Sequence, residues 1–144
     1  MMGALFDVLA PKLEERFPGR GMRREEKPSP KIIFPAVHAD VGDLVIYDCE
    51  SEFAVVYGVF THEDYVFAHY PPVSESDRTD LNDAVEDLLD DLEVLFNDRI
   101  VMWGKNARLG DYRGGLCRLR DDATWLPSGR TYFVWSGPFR DDNG

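Results

Sequence analysis

DLNDAVEDLLDDLEVLF, residues 80–96, is the stretch on which the reading of the fold turns. Leu81, Val85, Leu88, Leu89, Leu92, Leu95 and Phe96 recur at intervals of three and four. At 100° per residue they fall within one stripe about 120° wide, which predicts an amphipathic helix. The polar positions are almost all Asp or Glu, with no Lys or Arg among them. Asp80, Asp83, Glu86, Asp87, Asp90, Asp91 and Glu93 project away from the apolar stripe. Asp83/Asp87, Glu86/Asp90 and Asp87/Asp91 are like-charge pairs at i,i+4, each costing the helix about 0.2 to 0.5 kcal/mol. The last acids also sit at the end where the helix dipole disfavours them. Helix stability alone does not select such a face.

Upstream of this helix the period changes from 3.6 to 2. IIFPAVHA, DLVIYDC, FAVVYGVFT and DYVFAHY are short runs rich in Val, Ile, Phe and Tyr, separated by VGD, ESE and THE. They predict a meander of antiparallel strands. Pro35 demotes the first run to an edge or bulged strand. Pro71-Pro72 stops the sheet, and SESDRT offers N-cap residues for the helix. Further back, Leu5, Phe6, Leu9, Leu13 and Phe17 predict a shorter N-terminal helix, with Pro11 marking a start, kink or break. Between helix and strands, residues 18–31 are polar and punctuated by Pro28 and Pro30, the signature of an exposed loop. Downstream, RIVMW and GLCRLR read as strands. ATWLPSGRTYFVW reads as a hairpin turning at Pro127-Ser128-Gly129, and residues 140–144 as a frayed tail. The sum is an α+β fold: a mainly antiparallel sheet of about six strands, the long acidic helix packed on one face, and a shorter N-terminal helix.

A length of 144 residues suits one domain spanning 1–144. With 44% hydrophobic and 30% charged residues the composition is that of a soluble globular protein, and no window approaches the roughly 18 apolar residues of a membrane span. The N-terminus lacks the basic and apolar regions of a secretory signal. Cys49 and Cys117 form neither a CxxC nor a zinc-type cluster, which fits two buried thiols in a reducing, cytoplasmic compartment. The net charge of −11 is unevenly placed. Residues 1–31 hold seven Lys/Arg and five Asp/Glu, residues 32–98 hold one and seventeen, and residues 99–144 hold eight and five. Such an acidic middle argues against nucleic acid or an anionic membrane as partner, and for a basic protein.

The acidic helix face is read in three ways. It is a solvated surface partly neutralised by Arg99, Arg118 or Arg120; a surface for a basic partner made of Asp83, Glu86, Asp87, Asp90 and Asp91; or a metal site. The calcium-loop pattern and the Glu-x-x-His of di-iron sites are missing, so no metal is expected. Val94 falls among the acids as a potential apolar anchor. The alternative is a separate ligand site around His62, in a turn beside Glu63 and Asp64, and the loop 104–115, where Lys105, Arg108, Tyr112 and Arg113 suit an anion. That loop is neither a Walker loop nor GxGxxG, and no motif places a nucleophile, so no catalytic residue and no cofactor are expected.

VGDLVIYDCESEFAVVYGVFTH, the acidic helix and LFNDRIVMW together resemble the layout of small uncharacterised bacterial α+β proteins, among them suspected immunity partners of toxins. The resemblance covers residues 37–103 and carries no functional residue over. It implies a non-enzymatic protein that binds and blocks a toxin, often one whose active face is basic. The leading expectation is therefore a non-enzymatic acidic interaction module. Its alternatives are a small enzyme or ligand-binding domain with a site near His62, Tyr112 and Arg113, and a structural or oligomer-forming domain. Oligomeric state is not written in the sequence.

Overall fold

The computed structural model describes residues 4–49, 51–68, 70–104, 114–119 and 131–139. Two helices and nine strands are found among them. The helices are α1 (Phe6–Arg16) and α2 (Glu75–Phe96). The strands are β1 (Arg23–Glu25), β2 (Lys31–Phe34), β3 (Leu44–Asp48), β4 (Glu52–Tyr57), β5 (Thr61–Val66), β6 (Ile100–Trp103), β7 (Gly115–Arg118), β8 (Tyr132–Val134) and β9 (Gly137–Phe139). This is an α+β fold with a long and a short helix. The strands do not form one sheet of about six, however. They divide into a five-stranded sheet, ordered β1-β2-β3-β4-β5, and a four-stranded sheet, ordered β7-β6-β8-β9. All pairings are antiparallel.

The larger sheet earns its stability from one apolar face. Ile32, Ile46 and Val55 lie opposite one another across β2, β3 and β4, as do Phe34, Leu44 and Tyr57. All six are buried, and because side chains alternate along a strand they share a face. Onto that face α2 lays Leu81, Val85, Leu88, Leu89, Leu92, Leu95 and Phe96, the whole predicted stripe, together with Ala84. Phe6, Leu9, Leu13 and Phe17 bring α1 into the same core. At the end of α2, Phe96 meets Phe17, Phe34 and Trp135 at ring-centroid distances of 5.1 to 5.3 Å. Trp135, in the β8–β9 turn, thereby ties the smaller sheet to this core.

Local signals account for the helix ends. Ser74 caps α2, its hydroxyl accepting the Asp77 N–H at 3.1 Å, while the Asp77 carboxylate accepts the Val73 N–H. The Ser74 bond satisfies one of the donors that a helix start leaves open, the Asp77 bond holds the residue before the cap, and together they set the start before residue 80. Pro11 lies inside α1, on its exposed side, and neither begins nor ends the helix.

The turn between β4 and β5 rests on a glycine. Gly58 has φ +59°, and a Cβ added there would overlap the Val41 carbonyl oxygen. That carbonyl also accepts the Val59 N–H at 2.8 Å. The β4–β5 turn and the 38–42 turn thus lock backbone to backbone, with no room for a side chain between them.

The structure departs from the sequence expectation at several points. Residues 18–31 are largely exposed, but they include β1, which pairs with β2. Pro35 follows β2 and does not make it an edge, because β1 covers its outer side. The THE segment opens β5 and is not a separator, so His62 is a strand residue opposite Val56. Cys49 is exposed and Cys117 half-buried, and neither is in a disulfide. Val94 is half-buried against the core and is no exposed anchor. The proposed turn at Pro127-Ser128-Gly129 and the tail 140–144 lie outside the described residues.

Candidate functional site

The helix stripe that fills the core dictates what the other side of α2 presents. With Leu88 and Leu92 turned inward, Asp80, Asp83, Glu86, Asp87, Asp90 and Glu93 are exposed. β5, the last strand of the five-stranded sheet, runs beside this helix. Between them lies a groove of about 670 Å³. Asp80, Asp83, Ala84, Asp87, Asp90 and Asp91 of α2 form one wall, and Asp64, Tyr65, Val66, Phe67 and Ala68 the other. Arg118 of β7 is the single cation among the described residues of the lining. Glu86 is exposed but does not line the groove.

One end of the groove is tied down. The Arg118 guanidinium donates to Asp91 Oδ1, and the Tyr65 hydroxyl donates to Asp91 Oδ2 at 2.7 Å. Because the Tyr65 proton goes to a carboxylate, the Tyr57 hydroxyl must be the donor in the 2.5 Å contact between the two phenols. Asp91 is consequently half-buried and engaged through both oxygens, unlike the other acids of the face. Burial raises the Tyr65 phenol well above the usual tyrosine range, and the neighbouring Tyr57 and Asp91 add to the shift. Burial also raises Tyr57, against a smaller lowering by its hydrogen bond to Tyr65. Glu63, on the same strand, is raised by partial desolvation first and then by the charges of Asp91 and Asp64.

These phenols carry a testable pH dependence. A group whose folded pKa lies above its unfolded value contributes stability in full below the unfolded value, about 10 for tyrosine, and loses it as pH rises beyond that. In an alkaline titration followed by phenolate absorbance, Tyr57 and Tyr65 should remain protonated until the chain unfolds. Titration of all six tyrosines while the fold persists would contradict the Tyr57–Tyr65–Asp91 chain.

Neutralisation of the helix is partial and comes from an unforeseen place. Arg16, in the last turn of α1, bridges Asp90 at 3.0 Å and Glu93 at 2.7 Å. Arg118 takes Asp91 as expected. Arg99 instead donates to the Leu119 carbonyl, and Arg120 lies outside the described residues. Asp80, Asp83, Glu86, Asp87 and Asp64 form no ion pair among the described residues. Among the described residues, compensation is therefore concentrated at the C-terminal end of α2, and Asp80, Asp83 and Asp87 of the groove keep their charge. The exposed Arg16 pairs are worth little to stability, about 0 to 1 kcal/mol each.

The alternative ligand site is not assembled in the described residues. His62 is half-buried on β5 and lines neither the groove nor a smaller cleft of about 220 Å³ formed by Arg16, Phe17, Pro18, Arg20, Glu93, Phe96 and Asn97. Lys105, Arg108, Tyr112 and Arg113 fall outside the described residues. The carboxylates of the groove are spread along it, and among the described residues no three His, Cys, Asp or Glu side chains are grouped to hold an ion. No described helix is long and apolar enough to cross a membrane.

No family model, no curated protein and no solved structure matches this chain. What the groove does chemically is read from its own residues. Exposed carboxylates in a concave row accept charge-assisted hydrogen bonds from ammonium and guanidinium groups, and repel anions.

Proposed function

We propose that this chain is a non-enzymatic interaction module that binds a basic protein through the groove between β5 and α2. The observation that carries the reading is the lining: among the described residues, six carboxylates against one arginine, with that arginine already committed to Asp91. A one-signed concave surface raises the encounter rate of a positive partner and orients it on approach. The face also carries a cost in like-charge pairs along α2 that the fold itself does not need. Inhibition of a basic toxin, as in an immunity-type protein, is a role that suits such a groove.

The test pairs a capture experiment with a variant. A basic protein retained from lysate of the source organism at low salt should be released at high salt, because the Debye length shrinks from about 10 Å at 0.1 M to about 3 Å at 1 M. The combined change Asp80→Asn, Asp83→Asn, Asp87→Asn should slow association with that protein by about tenfold or more at low salt. It should leave the thermal transition unchanged or slightly raised, since two like-charge pairs on α2 are relieved. Unchanged association kinetics in this variant would remove the groove as the binding surface.

A further inference from the structure

Among the described residues, the wall of the groove opposite α2 is an unpaired sheet edge, and its hydrogen-bonding phase can be worked out. Phe67 N–H donates to the Ser51 carbonyl at 2.9 Å, and the β4–β5 register places Tyr65 opposite Phe53 and Val66 opposite Glu52. In an antiparallel ladder, hydrogen-bonded and non-hydrogen-bonded pairs alternate. Tyr65 and Glu63 therefore turn their N–H and C=O toward β4, while Asp64 and Val66 turn theirs outward. β5 ends the sheet, and no described residue takes up the outward groups of Asp64 and Val66. Val66 is 69% exposed and Ala68 is exposed. An open edge of this kind is a template for one more strand.

From this phase, the open edge and the charge of the facing wall, we infer that the groove takes an extended segment that pairs with the outer edge of β5 and carries basic residues at alternate positions. The inference rests on the groove being the partner site and specifies what enters it. A strand added beside β5 would send every second side chain to the face occupied by α2, because the buried Tyr65 marks that face. Alternate residues of a strand are about 6.7 Å apart, and i,i+4 positions of a helix about 6 Å. Lysines or arginines two apart thus keep step with Asp83 and Asp87. The intervening side chains lie on the opposite face, beside Val66, where apolar residues are favoured. The segment the groove selects alternates basic and apolar residues.

The probe is an acetylated, amidated hexapeptide of alternating lysine and valine, compared with a block isomer of three lysines followed by three valines. The alternating peptide should bind the intact protein about tenfold more tightly than the block isomer, and it should slow amide exchange at Asp64 and Val66. Val66→Pro removes an outward N–H that the fold does not use, a change edge strands tolerate. It should cut binding of the alternating peptide about tenfold or more at unchanged unfolding temperature. If both isomers bind equally and the Asp64 and Val66 amides exchange as in the free protein, strand pairing is overturned while the acidic groove stands as a binding surface. If neither peptide binds at low salt, both the pairing and the groove's affinity for basic segments are overturned.

Discussion

Replacing Gly58 with alanine is expected to lower the unfolding free energy by about 3 kcal/mol, a large part of the roughly 5 to 15 kcal/mol that holds a domain together. Two causes act at once. The φ of +59° is one that residues with a Cβ adopt at a cost of about 1 to 2 kcal/mol. The new methyl would also overlap the Val41 carbonyl, forcing apart the two turns that share the Val59 N–H bond. Gly19→Ala separates these causes, because Gly19 has φ +76° but nothing within 4 Å of its would-be Cβ. It should cost about 1 kcal/mol. Equal losses in the two variants, measured by denaturant titration, would show that the 38–42 turn yields freely. The consequence for the groove is direct, since the Gly58 turn launches β5.

Leu88→Ala is expected to cost about 3 to 4 kcal/mol, because Leu88 is fully buried in the middle of α2 and its removal leaves a cavity that neighbours on both sides can fill only in part. Asp87→Asn, one residue earlier, should change stability by less than about 0.5 kcal/mol, and upward. The pair divides the helix into its two tasks: one face holds the sheet, the other holds charge. Chemical denaturation of both variants checks this. A loss below about 1 kcal/mol for Leu88→Ala would mean that the core closes over the site.

The helix was legible because its two faces differ so sharply. Every residue of the stripe from Leu81 to Phe96 is buried, and most of the acids face outward. The strand-forming runs were legible for the same reason, by alternation of β-branched and aromatic residues. What could not be read was the division into two sheets, which depends on pairing between distant segments, as when β6 takes β7 on one side and β8 on the other. His62 was misplaced because Gly58 turns the chain three residues before the polar THE segment, and polar composition is a weaker turn signal than a glycine at positive φ. In the groove, Asp83, Asp87, Asp90 and Asp91 were identifiable from helical spacing. Asp64 and Val66 were not, since their place depends on β5 being the last strand. Nor was Arg16, whose tie to Asp90 spans 74 positions and leaves no local trace.

The open edge of β5 bears also on how the molecule keeps company with itself. An uncovered strand invites a duplicate to stack against it, the first step toward fibrous aggregates. At the opposite end of the sheet β1 carries Arg23, Arg24 and Glu25, charges of both signs that discourage such stacking. β5 has no mixture of that kind. Its protection is the row of aspartates alongside, which a second identical chain would have to approach with an equal row of its own. Solubility is thereby entrusted to ionised carboxylates, and it weakens as the pH approaches the isoelectric point near 4.6.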